Sequence, residues 1–298
     1  MSDAPLLLTG ATGMIGRTLL ERLEGRPVAA VVRSGAPDWA TEFPDVSWVE
    51  ADLTDPGMED ALPDEVGGVV HLAQSDSDGT SDEGAEDLFA VNTESTARLL
   101  EHAGEAGARS FVLASTATVY RHSPDPIAED GPLDSSSPYA VSKANAEILL
   151  APYSGLIDCV ALRFFTAYGR PQPGRLIWEL IRKVREGKPV QVQGERGLLL
   201  SPIHADDVAT AILAAYDRDV GPDLKTLNVG GAESLGIREI AETIGGFSGK
   251  EPVFEQVDGP EPGGLVADRT RSVIELGLPE PTPFREGVQR MLSAESRA

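Results

Sequence analysis

A tyrosine and a lysine, Tyr139 and Lys143, stand four positions apart in a stretch with a helical pattern. Residues at this spacing lie on one face of a helix, so the phenol and the ammonium point the same way. A phenol with a pKa of about 10 is a poor base at neutral pH, but a neighbouring positive charge stabilises its anion. The pair therefore indicates proton exchange with a hydroxyl or carbonyl group. A surface tyrosine beside a lysine shows the same spacing, so the interpretation depends on the rest of the chain.

A glycine-rich loop lies near the N-terminus, between the apolar segment Leu6–Thr9 and a helical pattern. Its glycines follow the spacing G-x-x-G-x-x-G, in which the first permits a tight turn and the second lets backbone N–H groups approach a pyrophosphate. The third allows a helix to pack closely on a strand, and the N-terminus of that helix favours negative charge. We therefore predict a dinucleotide site made by Gly10, Thr12, Gly13, Met14, Ile15 and Gly16.

The end of the second predicted strand bears on which dinucleotide binds. A carboxylate there accepts hydrogen bonds from the ribose of NAD, whereas an arginine suits the additional phosphate of NADP. Arg33 stands at this position, and the first acidic residue after it is Asp38. The pattern leaves NAD and NADP open and favours NADP, with a solvated arginine as the alternative interpretation.

Short apolar segments alternate with helical ones through the first half of the chain, which predicts a doubly wound parallel α/β sheet of the Rossmann type. The predicted strands are Leu6–Thr9, Val28–Arg33, Val46–Glu50, Gly68–His71, Ser110–Ser115 and Asp158–Phe164. The predicted helices are Met14–Leu23, Ala85–Ala103 and Tyr139–Leu150. Two polar stretches, Gln74–Gly84 and Arg121–Pro138, predict surface loops.

After Gly169 the regular alternation of strand and helix patterns ends. The mixed pattern that follows predicts a smaller C-terminal α/β lobe that binds the substrate. We expect a dinucleotide-binding domain over residues 1–169, with returns to its sheet near 198–229, and a lobe over 170–197 and 230–298. Asp206 is a candidate N-cap for a helix that begins at the next residue.

Composition excludes several kinds of partner. The net charge of −23 repels nucleic acid and anionic lipid. The sequence contains no run of about 18 apolar residues, so no membrane span is predicted. Cys159 is the only cysteine, and no His, Cys or acidic pair shows the spacing of a metal site. The first residues lack the features of a signal peptide. These features favour a cytoplasmic protein that acts on a small molecule.

The motifs together resemble those of the extended short-chain dehydrogenase/reductase family, whose best-known members are nucleotide-sugar epimerases, dehydratases and reductases. The resemblance covers nearly the whole chain and keeps the order of the family's motifs. The segments that carry it are Thr9–Gly16, Ala51–Leu53, His71–Ala73, Val91–Thr93, Ser115–Tyr120, Ser137–Lys143, Leu162–Gly169, Pro202–Ala209 and Leu227–Gly231.

The resemblance implies a role for each matching residue. Tyr139 would exchange a proton with the substrate, and Lys143 would lower the pKa of that phenol and hold the nicotinamide ribose. Thr116 would orient the reacting oxygen while a hydride passes between a substrate carbon and the nicotinamide, and Thr166 would contact the substrate. Besides the loop, Arg33, Tyr139 and Lys143, the implied cofactor residues are Asp52, Leu53, Leu72, Ala73, Asn92, Ala114, Ser115 and Phe165.

The chain departs from the family pattern at positions that bear on the substrate. Ala117 and Thr118 replace the acidic residue of 4,6-dehydratases, which argues against water elimination. Leu200 and Glu261 stand where the family has arginines that grip a substrate diphosphate, and a carboxylate would repel such a group. These departures put a nucleotide-linked substrate in doubt.

Three functions stay open at this point. The first is an epimerase similar to UDP-glucose 4-epimerase, acting on a sugar or nucleotide sugar and retaining its NAD. The second is an NADP-dependent dehydrogenase or ketoreductase for a sugar or another small substrate without a diphosphate. The third, less favoured, is a non-catalytic Rossmann redox sensor. By resemblance, we also expect a homodimer formed through the helices predicted at Ala85–Ala103 and Tyr139–Leu150.

Overall fold

Parallel strands with apolar side chains on both faces form the centre of the structure. The computed structural model describes residues 4–23, 25–77, 79–218 and 222–295. Its strands are β1 (Leu6–Thr9), β2 (Val28–Val32), β3 (Val46–Glu50), β4 (Gly68–His71), β5 (Ser110–Thr116), β6 (Asp158–Phe164), β7 (Ala167–Tyr168), β8 (Val190–Gln193), β9 (Leu199–Leu200), β10 (Ile203–His204), β11 (Asp223–Val229), β12 (Leu235–Gly236), β13 (Phe254–Val257) and β14 (Gly264–Leu265). Its α-helices are α1 (Met14–Leu20), α2 (Asp82–Phe89), α3 (Ser95–Glu105), α4 (Pro138–Leu149), α5 (Leu176–Glu186), α6 (Ala205–Tyr216), α7 (Ile237–Ser248), α8 (Thr270–Leu276) and α9 (Phe284–Glu295).

The main sheet within the described residues has seven strands in the order β11-β6-β5-β4-β1-β2-β3. β1 pairs in parallel with both β2 and β4, so the strand order reverses beside β1. In open α/β sheets, ligands bind outside the carboxyl ends of the strands at such a reversal. The predicted Rossmann-type sheet is confirmed, and the six strands predicted for it above lie within one residue of their predicted ends.

The first of two compact units comprises residues 1–119, 134–163 and 209–227. Its core is an apolar cluster formed by side chains of the sheet and of α3, which includes Leu7, Val69, Leu99, Phe111 and Ala161. Tyr139, Lys143 and Thr116 all belong to this unit.

The second unit comprises residues 120–133, 164–208 and 228–298. Its apolar cluster joins α5, α7 and α9 around Ile181, Ile240 and Val288. The domain boundaries expected from the sequence stay a prediction.

Two predicted helices differ from those observed. α1 ends at Leu20 rather than Leu23. The helix expected over Ala85–Ala103 is interrupted by a π turn at Ala90–Glu94, where the hydroxyl of Ser95 donates to the carbonyl of Val91. A hydroxyl that bonds to its own helix backbone competes with the regular pattern.

The loop and cap predictions also need correction. The stretch Gln74–Gly84 is not wholly a surface loop, because Ser75 is buried and α2 begins at Asp82. Asp206 does not cap α6, because the helix begins at Ala205 and the Asp206 N–H donates to His204 Nδ1 over 3.3 Å. No helix of the described residues is long and apolar enough to cross a membrane.

The glycine loop has the close approaches expected of it. Gly10 has φ +71°, and a Cβ atom there would lie 2.7 Å from the Ala73 nitrogen. A Cβ atom on Gly16 would lie 2.2 Å from the Gly10 carbonyl oxygen. These positions therefore exclude any side chain, and they bring the start of α1 directly against the end of β1.

Candidate active site

The three residues predicted to do chemistry lie on elements that pack together. α4 begins with Ser137 as N-cap and Pro138 at its first turn, a position at which proline is already in helical geometry. Tyr139 is half-buried and Lys143 is buried one turn further along. α4 packs against β5 and the turn Ala117–Val119, and Thr116 is the last residue of β5. The structure therefore brings the predicted catalytic residues into one region of the first unit.

Lys143 is a buried cation without a hydrogen-bonding partner among the residues that the structure describes. Its side chain is 2% exposed, and none of the described residues forms a hydrogen bond with its ammonium. Burial lowers the pKa of Lys143 to about 8, while the nearby carboxylate of Glu147 acts in the opposite direction. Burying an unpaired charge is unfavourable. A ligand that supplies oxygen acceptors would satisfy this ammonium.

A buried ion pair fixes the far side of α4. Arg163 Nε and Nη2 donate to the two carboxylate oxygens of Glu147 over 2.9 and 2.6 Å, and both side chains are less than 10% exposed. The Ser115 hydroxyl donates to the same carboxylate. Ser115 precedes Thr116, and Glu147 lies one turn beyond Lys143. The ion pair therefore joins β5, β6 and α4.

Ser115 was expected to contact the cofactor, but its side chain points to Glu147. A cofactor contact by Ser115 stays a prediction for its backbone. No role was predicted from the sequence for Glu147 or Arg163. The position of Glu147, four residues after Lys143, is the signal that could have identified it.

His71 occupies a hydrogen-bonded chain at the end of β4. The Ala73 N–H donates to Thr9 Oγ1 over 3.1 Å, and that oxygen lies 2.7 Å from His71 Nδ1. On the other side of the ring, Nε2 lies 3.4 Å from Ser95 Oγ. Because the Ser95 hydroxyl donates to a backbone carbonyl, it accepts from Nε2–H, and Nδ1 accepts from Thr9.

His71 is neutral in this chain. Burial, together with the positive charge of Lys143, lowers the pKa of His71 to about 3. A neutral ring keeps one donor and one acceptor, as the chain of hydrogen bonds requires. His71 therefore connects the ends of β1 and β4 and does not serve as an acid or base at neutral pH.

Asn92 braces two neighbouring segments from the π turn. Its Oδ1 accepts from the Ser75 N–H over 2.9 Å, and its Nδ2 donates to Ser142 Oγ over 3.0 Å. The Ser142 hydroxyl in turn donates to the Tyr139 carbonyl. Asn92 is fully buried and has its amide oxygen and nitrogen both engaged. It holds the segment after β4 against α4.

Thr116 has a half-buried hydroxyl at the end of β5. Thr116 Oγ1 accepts from the Thr118 N–H over 3.1 Å and lies 3.0 Å from the Thr118 hydroxyl. Ala114, two residues earlier, is also half-buried, as expected for residues on one face of a strand. The turn after β5 thus fixes the Thr116 side chain.

Gln74 is a site residue that the sequence analysis placed in a surface loop. The Tyr139 hydroxyl donates to Gln74 Oε1 over 3.1 Å. Gln74 directly follows Leu72 and Ala73 at the carboxyl end of β4, and this neighbourhood is the signal that could have identified it.

The residues predicted to hold the dinucleotide line the carboxyl ends of β1 to β4. Gly13 is the N-cap of α1 and offers no side chain to its N–H groups. Arg33 is exposed one residue beyond β2. Asp52 accepts from the backbone and hydroxyl of Thr54, and these hydrogen bonds lower its pKa. Exposed or half-buried positions are held by Thr12, Met14, Ile15, Leu53, Leu72 and Ala73.

The second unit holds Thr166, predicted to contact the substrate, and Phe165, predicted to contact the cofactor, together with the departures from the family pattern at Leu200 and Glu261. Thr166 has φ +52°, a strained backbone for a β-branched residue. Phe165 is buried against Tyr120, with ring centroids 6.0 Å apart. Leu200 is 2% exposed within the apolar cluster of this unit, and Glu261 Oε1 accepts from the Glu195 N–H over 2.8 Å. The roles of Phe165 and Thr166 toward ligands stay predictions.

Within 4–23, 25–77, 79–218 and 222–295, no three His, Cys, Asp or Glu side chains come together in a group that could hold a metal ion.

Comparison with known proteins gave concordant matches. The model of the NAD dependent epimerase/dehydratase family matches residues 6–230. An uncharacterized UDP-glucose epimerase of Bacillus subtilis, YtcB, is 31% identical over 206 residues, which cover 67% of this chain and 64% of that protein. The chain therefore spans less than two thirds of the length of this relative.

Two further matches span nearly full length. A UDP-glucose 4-epimerase of Mycolicibacterium smegmatis is 29% identical to this chain. The match covers 95% of this chain and 96% of the epimerase. The solved structure of MoeE5 in complex with UDP-glucuronic acid and NAD has a TM-score of 0.85 at 29% identity. That match covers 98% of this chain and 99% of MoeE5.

The buried charge of Lys143 predicts a pH-dependent effect on stability. In the unfolded chain Lys143 has its ordinary pKa of 10.5, and in the folded protein about 8. The folded state therefore carries a cost that is full below pH 8 and disappears above pH 10.5. In NAD-free protein, Lys143→Met should raise the free energy of unfolding at pH 7 by roughly 2–3 kcal/mol.

The measurement is urea unfolding of wild type and variant across this pH range. Lys188→Met, at an exposed lysine that pairs with Glu186, should change the unfolding free energy by less than about 1 kcal/mol across this range. A difference between wild type and Lys143→Met that does not vary with pH would contradict the assignment of a buried ammonium.

The Glu147–Arg163 pair predicts a strong effect of removing one partner. Glu147→Gln removes the charge that pairs with the buried Arg163 guanidinium, so the free energy of unfolding should fall by about 3–5 kcal/mol. The matched control is Glu179→Gln, which breaks an exposed pair with Arg182 and should leave stability nearly unchanged. Equal effects of the two substitutions in chemical denaturation would show that the buried pair does not hold these elements together.

Proposed function

The chain belongs to the NAD dependent epimerase/dehydratase family, and from that premise we propose that it is an NAD-dependent enzyme that epimerises a hydroxyl-bearing carbon of a nucleotide-linked sugar. The observation that carries the proposal is the buried ammonium of Lys143, which has no hydrogen-bonding partner among the described residues and lies one turn from Tyr139. The full-length similarity to a UDP-glucose 4-epimerase supports the substrate class and reaction.

The residues present fit the dinucleotide. Lys143 offers donors to the ribose hydroxyls, and Gly13 leaves the N–H groups at the start of α1 uncovered by a side chain. The complex of MoeE5 contains NAD, so the preference for NADP drawn from Arg33 has no support, and NAD is the cofactor proposed. When bound, NAD would supply the acceptor for the hydride that leaves the substrate carbon and the donor for its return.

The protein's own groups manage the proton and the geometry. The Tyr139 oxygen takes the proton from the substrate hydroxyl as the carbon is oxidised, and returns it when the carbonyl is reduced. The positive charge of Lys143 stabilises the phenolate that is present before the first transfer and again after the second. The Thr116 hydroxyl, held by the turn at Thr118, hydrogen-bonds the reacting oxygen and orients it. Thr166 contacts the substrate, and epimerisation requires the keto intermediate to present its other face.

The surroundings of Thr116 favour an epimerase over a dehydratase. Elimination of water needs an acid or base close to the reacting carbons. Ala117 is buried and apolar, and the Thr118 hydroxyl lies against Thr116. Neither residue supplies an ionisable group.

A second candidate is a dehydrogenase or ketoreductase for a small hydroxy or keto compound without a diphosphate. Leu200 is buried in an apolar cluster, and the Glu261 carboxylate is bound to the Glu195 N–H. Neither side chain offers a positive charge to a diphosphate. A non-catalytic redox sensor is less favoured, because Thr116, Tyr139 and Lys143 are all retained.

Assembly and location form a further part of the proposal. By family resemblance, the chain forms a homodimer through the helices at Asp82–Glu105 and α4. It acts in the cytoplasm on a small molecule, and its net charge of −23 disfavours binding to nucleic acid.

The first test is conversion of UDP-glucose and UDP-glucuronic acid by purified protein with NAD, followed by chromatographic separation of sugar epimers. We expect an epimer to form with no net change in absorbance of the reduced nicotinamide. Tyr139→Phe should lower the conversion rate at least about 100-fold and leave the Kd for NAD within about threefold of wild type. Tyr153→Phe, at a tyrosine outside the site, is the matched control.

Other outcomes separate the candidates. A net absorbance change with free sugars, and no reaction with nucleotide sugars, would favour the dehydrogenase. Unchanged conversion by Tyr139→Phe would remove this phenol from the mechanism.

A further inference from the structure

We propose that Gln74 is a positioning residue for Tyr139, whose side-chain amide pairs with the phenol oxygen in both of its protonation states. The proposal rests on the proposed function only for its catalytic consequence. The contact itself, from the Tyr139 hydroxyl to Gln74 Oε1 over 3.1 Å, stands on geometry.

The backbone of Gln74 is anchored on both sides. The N–H of Ala73 donates to Thr9 Oγ1 over 3.1 Å, and the N–H of Ser75 donates to Asn92 Oδ1 over 2.9 Å. The Ser75 hydroxyl also bonds to the Asp87 carboxylate. Anchored neighbours limit where the Gln74 side chain can reach. The amide is therefore held at the phenol rather than resting there by chance.

The same anchors control the position of the phenol. Asn92 binds Ser142 as well as Ser75, and Ser142 binds the Tyr139 carbonyl. One buried side chain thus sets both the start of α4 and the loop that carries Gln74. The separation between the Gln74 amide and the Tyr139 oxygen follows from that shared support.

A primary amide suits a group that gains and loses a proton. Its oxygen accepts a hydrogen bond from the neutral phenol, and rotation of the amide by half a turn presents an N–H donor to the phenolate. An aliphatic side chain offers neither bond, and a carboxylate would repel the phenolate. Gln74 itself neither gains nor loses a proton during the reaction.

Other charged groups form a background common to every Gln74 variant. Lys143 and Glu147 lie on the same helix as Tyr139, His71 lies at the end of β4, and Asp87 reaches the loop through Ser75. His71 is neutral and the Glu147 charge is paired with Arg163. A change in the titration of Tyr139 on substitution of Gln74 therefore reports on the amide.

The test is an alkaline titration of NAD-free, full-length protein, followed by tyrosinate absorbance. The chain has five tyrosines. Subtracting the titration curve of Tyr139→Phe from that of the wild type isolates the signal of Tyr139 from the other four. Gln74→Leu removes both hydrogen bonds and should raise the midpoint of the Tyr139 titration by about one pH unit, a tenfold change in the equilibrium. Gln74→Glu should raise it further.

The control is Gln191→Leu, at an exposed glutamine bonded to Glu255, which should leave the midpoint unchanged. A midpoint that stays the same or falls in Gln74→Leu would overturn the proposal. If that variant does not fold, an unchanged midpoint in Gln74→Glu would overturn it equally.

Turnover separates this proposal from the proposed function. With an epimerised substrate, Gln74→Leu should lower kcat about tenfold at pH 7, leave KM within twofold, and regain rate at higher pH. The same loss at every pH would indicate a purely structural role and overturn the proposal. If the titration shifts occur as expected but the protein epimerises none of the substrates, the Gln74–Tyr139 interaction is supported and the proposed function is rejected.

Discussion

The buried ion pair between Glu147 and Arg163 is the constraint on which the site depends. Removing two charges from water costs several kcal/mol for each ion, and only close, well-directed hydrogen bonds offset that cost. Here two bonds of 2.9 and 2.6 Å join the charges, and Ser115 adds a third partner. This geometry exists in one arrangement of β5, β6 and α4, so the rotation of α4 is fixed. The positions of Lys143 and Tyr139, one and two turns earlier, follow from it.

Within the described part of the chain, the site combines the Lys143 charge, which has no hydrogen-bonding partner there, with a neutral scaffold whose polar atoms are hydrogen-bonded. His71 and Asn92 have their polar atoms engaged by protein groups, and they hold the ends of β1 and β4, the π turn and α4 in place. Lys143 alone among these buried polar residues lacks a hydrogen bond from the described part of the chain. The scaffold therefore resists rearrangement, while the ammonium is available to a ligand. This contrast links the packing of the first unit to the proposed chemistry.

The sequence predicted the parts of this structure that depend on local patterns. Six strands of the main sheet are short, largely apolar segments, and the glycine loop has a fixed spacing, so both were located within a residue or so. The Tyr139–Lys143 relation follows from helical geometry alone. The contacts of Gln74, Ser115 and Glu147 join segments distant along the chain, and no spacing encodes them. The π turn was missed because its cause, side chains bonding back to the helix, breaks the regular period.

The second unit was less predictable for the same reason. Its strands β7, β9, β10, β12 and β14 are two residues long, and such strands are defined by their partners rather than by their own alternation. Leu200 could be recognised as a departure from the family pattern, but its burial among α5, α7 and α9 required the fold. The strained backbone of Thr166 likewise could not be read from residue type.

The central claim is that Tyr139 moves a proton while the hydrogen on the reacting carbon leaves and returns as a hydride held by the enzyme. The most direct measurement follows deuterium placed on that carbon of a nucleotide sugar that the protein epimerises. The account predicts that the deuterium is retained in the epimer and that turnover is slower than with the unlabelled sugar. Loss of the deuterium to water in the product would contradict it, because exchange with solvent shows that the carbon is deprotonated instead.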